Sequence, residues 1–191
     1  MKHSKSAAEG GFKYNVEHIR SVSRMQAMGL SIEGLTRKDF NGIDSVVLSV
    51  EDVSNLIPAE GLDYILGASL KGVSQVSSWY IAPFEGNYTP IAGVTAATFP
   101  AAATESTAYD EANRVAWTSG SVSAGSVSNS ASKAAFTMNA TKTIYGIAQT
   151  SLSTKSGTTG VLVSVARFAA AKAVVDEDVL NVTSTITLTS A

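Results

Sequence analysis

The clearest pattern in the sequence is a strict alternation of side-chain character near the C-terminus. Over residues 179–189, one side of the pattern holds Leu180, Val182, Ser184, Ile186 and Leu188, and the intervening Asn and Thr residues share the other. A period of two is the pattern of a half-buried antiparallel strand, because successive side chains in a strand point to opposite faces. We therefore expect the chain to end in a strand with one face on a core.

Further β-rich runs, separated by Gly, Ser and Asp, precede this segment. They lie at residues 45–50, 73–84, 114–119, 134–140, 143–150, 161–168 and 173–175, while residues 122–128 fit either a turn or an edge strand. Short strands at intervals of about 8–12 residues are typical of a sandwich or barrel. The sequence predicts a mainly β fold, an antiparallel β-sandwich of jelly-roll-like type with an N-terminal arm and one or two short helices.

Residues 14–28 show helical spacing, with an apolar side chain at every third position from Val16 to Met28. Asn15 is the predicted cap and Gly29 the predicted stop. Residues 1–13 are rich in Gly, Ser and Lys and predict a flexible lead. A short helix must bury its apolar stripe, on its own core or on a neighbouring subunit. We thus divide the chain into residues 1–44, an N-terminal arm with a short amphipathic helix, and residues 45–191, the β-sandwich domain.

A second helix is predicted after Pro58, which suits the first turn of a helix. Its expected buried face consists of Leu62, Ile65, Leu66 and Ser69 or Leu70.

Residues 85–109 contain two prolines and runs of Ala and Thr, and they predict a long extended excursion. Three aromatic side chains, Tyr88, Phe99 and Tyr109, are expected to tether it.

The amino-acid composition restricts the possible functions of the chain more than it restricts the possible folds. The chain has 191 residues, enough for one domain with an arm, and contains no cysteine and two histidines. These counts exclude disulfides, thiolate metal sites and a cysteine nucleophile. No segment approaches the roughly 18 consecutive apolar residues of a membrane helix, and no secretory signal is evident. We therefore expect synthesis in a cytoplasm-like compartment.

The net charge of −2 is the sum of four unequal blocks. Residues 1–38 hold seven bases and three acids, residues 39–111 hold one base and ten acids, residues 112–175 hold six bases and no acid, and residues 176–178 hold three acids. The low total argues against nucleic-acid binding by charge alone. Two interpretations remain open: the blocks neutralise each other within one fold, or a basic arm reaches an acidic surface on a neighbouring subunit.

Candidates for catalysis or metal binding are few. His18 is the one histidine in a region expected to be ordered, and we place it on the polar side of the predicted helix, beside Arg20 and Ser21. An exposed histidine explains it more simply than membership of a Ser-His-Asp triad. The run Asp176–Asp178 offers oxygen ligands for a hard cation, but a charged turn between strands explains it more simply. We assign no catalytic, cofactor-binding or metal-binding residues.

Two wider groupings are candidates for ligand surfaces. In the first grouping, carboxylates lie near aromatic side chains, which suggests either a sugar subsite or solvated acids in a loop. The carboxylates are Glu105, Asp110 and Glu111, and the nearby aromatic residues are Tyr109 and Trp117. Trp79 and Tyr88 are further candidates for stacking on a sugar. Four bases on separate segments would form either a positive face or contacts with the acidic block; these are Lys133, Lys142, Lys155 and Arg167.

Several local motifs carry a resemblance to a known class of proteins. They are Trp79-Tyr80-Ile81, residues 85–90 (EGNYTP), Thr98-Phe99-Pro100, residues 104–109 (TESTAY), Arg114 with Trp117, and the closing VLNVTSTITLTSA. Over roughly residues 58–191 the chain resembles small virion proteins of tailed bacteriophages, in particular capsid cement or decoration proteins. The matched residues are structural, so the resemblance assigns no functional side chains.

The resemblance implies a non-enzymatic structural protein that stabilises the phage head by bridging capsid subunits. Its expected partners are the major capsid protein and copies of itself, as a dimer or trimer, with no membrane, no specific nucleic acid and no cofactor. Its expected location is the virion, assembled in the host cytoplasm. The alternatives are a tail or head–tail joining protein, or a carbohydrate-binding, adhesin-like module.

Overall fold

The computed structural model describes residues 10–42 and 44–188, which form nine strands and three short helices. In chain order these are β1 (Gly10–Ser21), α1 (Val22–Ala27), β2 (Ser45–Ser54), α2 (Ala59–Leu70), β3 (Tyr80–Phe84), α3 (Phe99–Ala102), β4 (Val115–Ala116), β5 (Ser126–Ser128), β6 (Ala134–Thr137), β7 (Lys142–Thr150), β8 (Leu162–Val174) and β9 (Val179–Leu188). A turn of 3-10 helix over Arg37–Asp39 precedes β2.

The strands form two antiparallel sheets. The first has the order β2-β1-β9-β5, and β6 also pairs with β9, so that β5 and β6 contact opposite ends of β9. The second has the order β4-β3-β7-β8. Buried side chains from both sheets, such as Tyr14 and Leu180 from the first and Ile81 and Ile147 from the second, share one apolar cluster. The predicted mainly β fold is therefore confirmed, and the arrangement is consistent with a β-sandwich.

The C-terminal strand is confirmed, and its predicted buried face is confirmed from Leu180 to Ser184, whereas Ile186 is half-buried and Leu188 is 70% exposed. Leu180, Val182 and Ser184 are fully buried, and β9 pairs along ten positions with β1, from Val179 opposite Ile19 to Leu188 opposite Gly10. Of the predicted strand, residue 189 lies outside the described residues. β9 is thus a central strand of its sheet, with β1 on one side and both β5 and β6 on the other.

The helix predicted over residues 14–28 is wrong for most of its length. Residues 14–21 continue β1, and only Val22–Ala27 are helical, beginning where the Ser21 hydroxyl accepts a hydrogen bond from the Arg24 backbone. Asn15 is not a helix cap, since its side chain donates to Asp52 on the neighbouring strand. Pairing with both β2 and β9 outweighs the helical spacing because it satisfies both edges of the backbone.

The predicted division at residues 44 and 45 must be corrected accordingly. Residues 10–21 lie inside the first sheet between β2 and β9, so they belong to the sandwich and not to an arm. The first nine residues of the predicted arm lie outside the described residues.

The helix after Pro58 is confirmed as α2, but its predicted buried face is wrong at every position except Ile65, which is half-buried. Leu62, Leu66 and Leu70 are 48%, 55% and 75% exposed, whereas Gly61 is buried. A Cβ atom at Gly61 would lie 2.8 Å from the backbone oxygen of Val163. The close approach of the helix backbone to β8 at this glycine therefore decides which face of α2 turns inward.

The excursion over residues 85–109 is confirmed as a long segment with little regular structure, interrupted only by α3. Phe99 and Tyr109 are buried, and Tyr88 packs edge-on against Phe84 with ring centroids 6.4 Å apart. The carboxylate of Glu60 on α2 accepts hydrogen bonds from the backbone of Ala96 and from that of Leu162 on β8. These contacts tie the excursion to the second sheet.

Candidate functional site

The acidic turn between β8 and β9 is an ion-pair site inside the protein. Asp178 is fully buried and accepts two hydrogen bonds of 2.7 Å from the Arg20 guanidinium, a bidentate pair. His18 Nε2 lies 2.7 Å from Asp178 Oδ2, and the Val175 backbone donates to the same oxygen. Asp176 and Glu177, the other members of the turn, are exposed. The structure thus favours the charged-turn interpretation over cation binding.

The expectation that His18 lies on an exposed helix face is wrong. It lies on β1 and is only 5% exposed, because the alternation of the strand places it on the same face as the buried Tyr14 and Val16. Its hydrogen bond to Asp178 gives it a structural partner. Across the residues that the structure describes, no group of three His, Asp or Glu side chains is arranged to hold a metal ion.

The environment of Asp178 sets its charge. Burial by itself raises the pKa of this carboxyl, but the hydrogen bonds from Arg20, His18 and the Val175 backbone outweigh burial and hold the pKa at about 2. The group is therefore ionised at neutral pH and binds β1 to the turn before β9.

The residues proposed for a sugar subsite are engaged elsewhere. Glu105 is buried in a bidentate pair with Arg114, at 2.8 and 2.6 Å. The ring of Tyr109 is buried, and the Lys155 ammonium lies 3.6 Å from its centroid. The half-buried Trp117 donates its indole N–H to a backbone oxygen at 3.1 Å. The ring of Tyr109 is therefore not open for stacking on a sugar, and Glu105 is bound to Arg114, so the structure does not assemble this subsite.

The remaining members of that group are also separated. Asp110 is exposed, and Glu111 accepts a hydrogen bond from the Thr137 backbone on β6. Tyr88 packs against Phe84, as described above.

The four bases considered for a positive face each have a different partner. Lys133 binds Glu17 at 2.7 Å, Lys142 binds Glu85 at 2.9 Å, Lys155 donates to the Tyr109 carbonyl oxygen at 2.8 Å, and Arg167 binds Asn87. A further, largely buried pair joins Lys172 to Glu51. Because most of these pairs connect blocks of opposite charge within one chain, the structure favours internal neutralisation for these residues.

The most distinctive exposed feature is a row of leucines on α2. Leu62, Leu66 and Leu70 follow one another at intervals of four, which places them on one side of the helix, and Val73 beyond the helix end is 50% exposed. We call these four residues the α2 apolar stripe. Exposed apolar side chains are common singly, but a contiguous row of large ones marks a contact surface.

Next to this stripe, α2 forms one wall of a small apolar pocket, which we call the Trp79 pocket. Its volume is about 230 Å³, and it is lined by Gly11, Phe12, Ile57, Tyr64, Ile65, Trp79, Gln149, Val163, Ile186 and Leu188. Trp79 packs edge-on against Tyr64, with ring centroids 5.4 Å apart. The sequence singles out Trp79 as an aromatic platform and Ile65 and Ile186 as members of buried faces, but it does not bring them together, because they lie before β3, on α2 and on β9.

None of the helices in the described part of the chain is long and apolar enough to cross a bilayer. In the comparisons with known proteins, no model of a protein family matches the chain, and the search of curated proteins yields no significant relative.

Proposed function

We propose that this chain is a non-enzymatic structural protein of a bacteriophage particle, a capsid cement or decoration protein that bridges subunits of the major capsid protein. The proposal joins the resemblance of residues 58–191 to such virion proteins with a surface suited to assembly. It places the chain in the virion, in contact with the capsid and with copies of itself as a dimer or trimer.

The observation that carries the proposal is the α2 apolar stripe. The three leucines and Val73 leave large apolar side chains in water on one side of a helix. Covering such side chains is favourable by roughly 25 cal/mol per Å² of apolar area removed from water. A protein that bridges many identical subunits gains this contribution at every copy.

The interior supports a structural role in a second way. The buried carboxylates of Glu105 and Asp178 are held in ion pairs with arginines, and His18 is hydrogen-bonded to Asp178, so that these contacts join separate segments of the fold. These groups therefore serve the stability of the sandwich, which has no cysteine with which to form a disulfide.

Immunolabelling of purified phage particles tests the location. An antibody raised against the recombinant chain is applied to particles from the producing culture, and gold label is located by negative-stain electron microscopy. We expect label distributed over the head. Label confined to the tail or to the head–tail joint would favour the alternative virion positions, and unlabelled particles from cells that express the chain would overturn the proposal.

A pair of variants tests the contact surface itself. Leu66→Ser changes the middle of the α2 apolar stripe, while Asp63→Ser changes an exposed polar position on the same helix. On heads prepared without the protein, we expect Leu66→Ser to bind at least about tenfold more weakly than wild type and Asp63→Ser to bind normally. Equal thermal unfolding midpoints of the two variants would show that the fold is intact. Normal binding by Leu66→Ser would exclude the stripe as the capsid contact.

A further inference from the structure

We propose that the Trp79 pocket binds a small, uncharged molecule that consists of a single aromatic ring bearing a hydrogen-bond-accepting oxygen. This inference is independent of the proposed structural role, because it concerns the cavity beside α2 and not the apolar stripe on its outer side. Three properties of the pocket carry it: its size, its lining and one unpaired amide.

The size sets the scale of the ligand. The pocket has a volume of about 230 Å³. An apolar cavity of about 150 Å³ accommodates benzene, and pockets for drug-sized molecules begin at about 300 Å³. The Trp79 pocket therefore fits one six-membered ring with a short substituent.

The lining sets the chemical class. Phe12, Tyr64 and Trp79 offer aromatic edges and faces, and aliphatic side chains complete the wall. Aromatic rings favour edge-to-face contacts of the kind already made by Tyr64 and Trp79. None of the described lining residues carries a charge, so a charged ligand would lose its hydration without gaining an ion pair.

Gln149 on β7 supplies the polar part of the recognition. It is 1% exposed and lines the pocket together with Val163 and Phe12. Its Oε1 accepts a hydrogen bond from Ser184 Oγ at 2.9 Å, whereas its Nε2 has no hydrogen-bond partner among the described residues. A buried N–H without a partner is costly, and a ligand oxygen beside Gln149 would satisfy it.

The test is a titration of the ¹⁵N-labelled protein followed by NMR, with three matched probes. Acetophenone carries the ring and a carbonyl acceptor, ethylbenzene has the ring without an acceptor, and benzoate adds a charge. We expect acetophenone to shift the Gln149 side-chain amide and the backbone amides of Phe12 and Ile65 in a saturable manner. Ethylbenzene should bind about tenfold more weakly, the usual effect of one hydrogen bond, and benzoate more weakly still.

Three variants assign the binding to this cavity. Ile65→Phe fills the pocket from α2, and Leu66→Phe makes the same kind of enlargement at a neighbouring position that is 55% exposed. We expect the first to weaken acetophenone binding at least about tenfold and the second to leave it unchanged. Gln149→Met removes the amide, and it should abolish the preference for acetophenone over ethylbenzene.

Each outcome of these titrations has a defined meaning. The proposal is overturned if acetophenone gives no saturable shift below about 1 mM, a weak affinity even for a nine-atom ligand. It is equally overturned if Ile65→Phe binds as tightly as wild type. Equal affinities of ethylbenzene and acetophenone for the wild-type protein would overturn the role of Gln149 and with it the required acceptor oxygen.

Discussion

Asp178 joins the first described strand to the turn before the last one, and its replacement by Asn is the most direct test of this junction. The side chains of Asp178 and Arg20 are 0% and 8% exposed. Asn keeps the size of the side chain and one acceptor oxygen but removes the negative charge. The Arg20 guanidinium then remains buried without a counter-ion.

Breaking a buried ion pair by removing one partner costs about 3–5 kcal/mol, because the remaining charge stays desolvated. Asn still accepts one hydrogen bond, so we expect the lower end of this range, a loss of about 3 kcal/mol in the free energy of unfolding at pH 7. For a protein of this size, such a loss is a large part of the total stability, typically about 5–15 kcal/mol.

The difference between wild type and variant should depend on pH with a defined sign. The pKa of Asp178 lies at about 2, below its ordinary value of 3.8. The ionised group therefore stabilises the fold fully above about pH 4, and this contribution of roughly 2 kcal/mol is lost as the pH falls through about 2. Because the amide of the Asp178→Asn variant does not titrate, the gap between the two proteins should narrow over this window.

Urea unfolding, followed by circular dichroism, measures both the loss of stability at neutral pH and its dependence on pH. The series of pH values runs from neutral down to the pKa of Asp178, and Asp176→Asn is the control. Asp176 is exposed on the same turn, so its substitution should change the free energy of unfolding by no more than about 0.5 kcal/mol. A loss below about 1 kcal/mol for Asp178→Asn at neutral pH would refute the expected cost of leaving the buried Arg20 without a counter-ion. A gap that stays constant below about pH 4 would refute the assignment of the lowered pKa to this carboxyl.

Three further substitutions test other parts of the interior by thermal unfolding. Tyr109→Phe removes a buried hydroxyl that has no partner among the described residues, so we expect unchanged stability or a gain of up to about 1 kcal/mol; a clear loss would contradict this. Arg114→Met leaves the buried Glu105 carboxylate unpaired and should cost about 3–5 kcal/mol, with part of the loss recovered when Glu105→Gln is added. Gly146→Ala places a Cβ against an aromatic ring and a carbonyl oxygen and should cost at least about 1–3 kcal/mol, whereas Gly11→Ala, with no atom within 4 Å of the new Cβ, should cost no more than about 1 kcal/mol.

The strands that the sequence predicts best are those with one buried and one exposed face. In β9 the alternation is uninterrupted from Leu180 to Ile186, and no other regular structure has a period of two. The pattern predicts β8 only as two pieces, residues 161–168 and 173–175, yet it is one strand over Leu162–Val174. Lys172, which interrupts the apolar pattern, is accommodated because its ammonium group binds Glu51 at 2.6 Å.

The failure over residues 14–28 has a specific cause. Val16 and Ile19 are three positions apart, as on a helix, but both are buried in β1, whose uninterrupted register with β9 places them on opposite faces of the sheet. Burial on both faces depends on other parts of the chain, and the partner strand β2 begins only at Ser45. The spacing of apolar residues within one segment does not show such partners, so the strand and helix patterns cannot be distinguished there.

For α2, the helix was predicted correctly but the direction in which its apolar side faces was not. The spacing of Leu62, Leu66 and Leu70 is that of a buried helix face, and the sequence correctly shows one apolar side. The contact between Gly61 and the β8 backbone turns that side outward. An apolar helix face that does not meet its own core indicates that something else covers it, and this is why the stripe carries the functional proposal.

The ion pairs could not be predicted, since their members are far apart in the sequence. Arg20 and Asp178 are separated by 158 positions, and Lys133 and Glu17 by 116. The charge blocks predicted only that opposite charges would meet, either within the chain or between chains. The sheet order brings β1 alongside β9, and this neighbourhood places Arg20 beside the turn that holds Asp178.

The position of β1 also determines which experiments can separate folding from assembly. If residues 1–38 formed an arm, their removal would leave an intact domain, and loss of particle binding would identify the arm as the contact. β1 instead pairs with β2 on one side and β9 on the other, so this truncation removes a central strand together with Arg20, the partner of the buried Asp178. A truncated chain that fails to bind would report the loss of the sandwich. Point substitutions at exposed positions such as Leu66 avoid this ambiguity, because they change the surface of α2 and leave every strand in place.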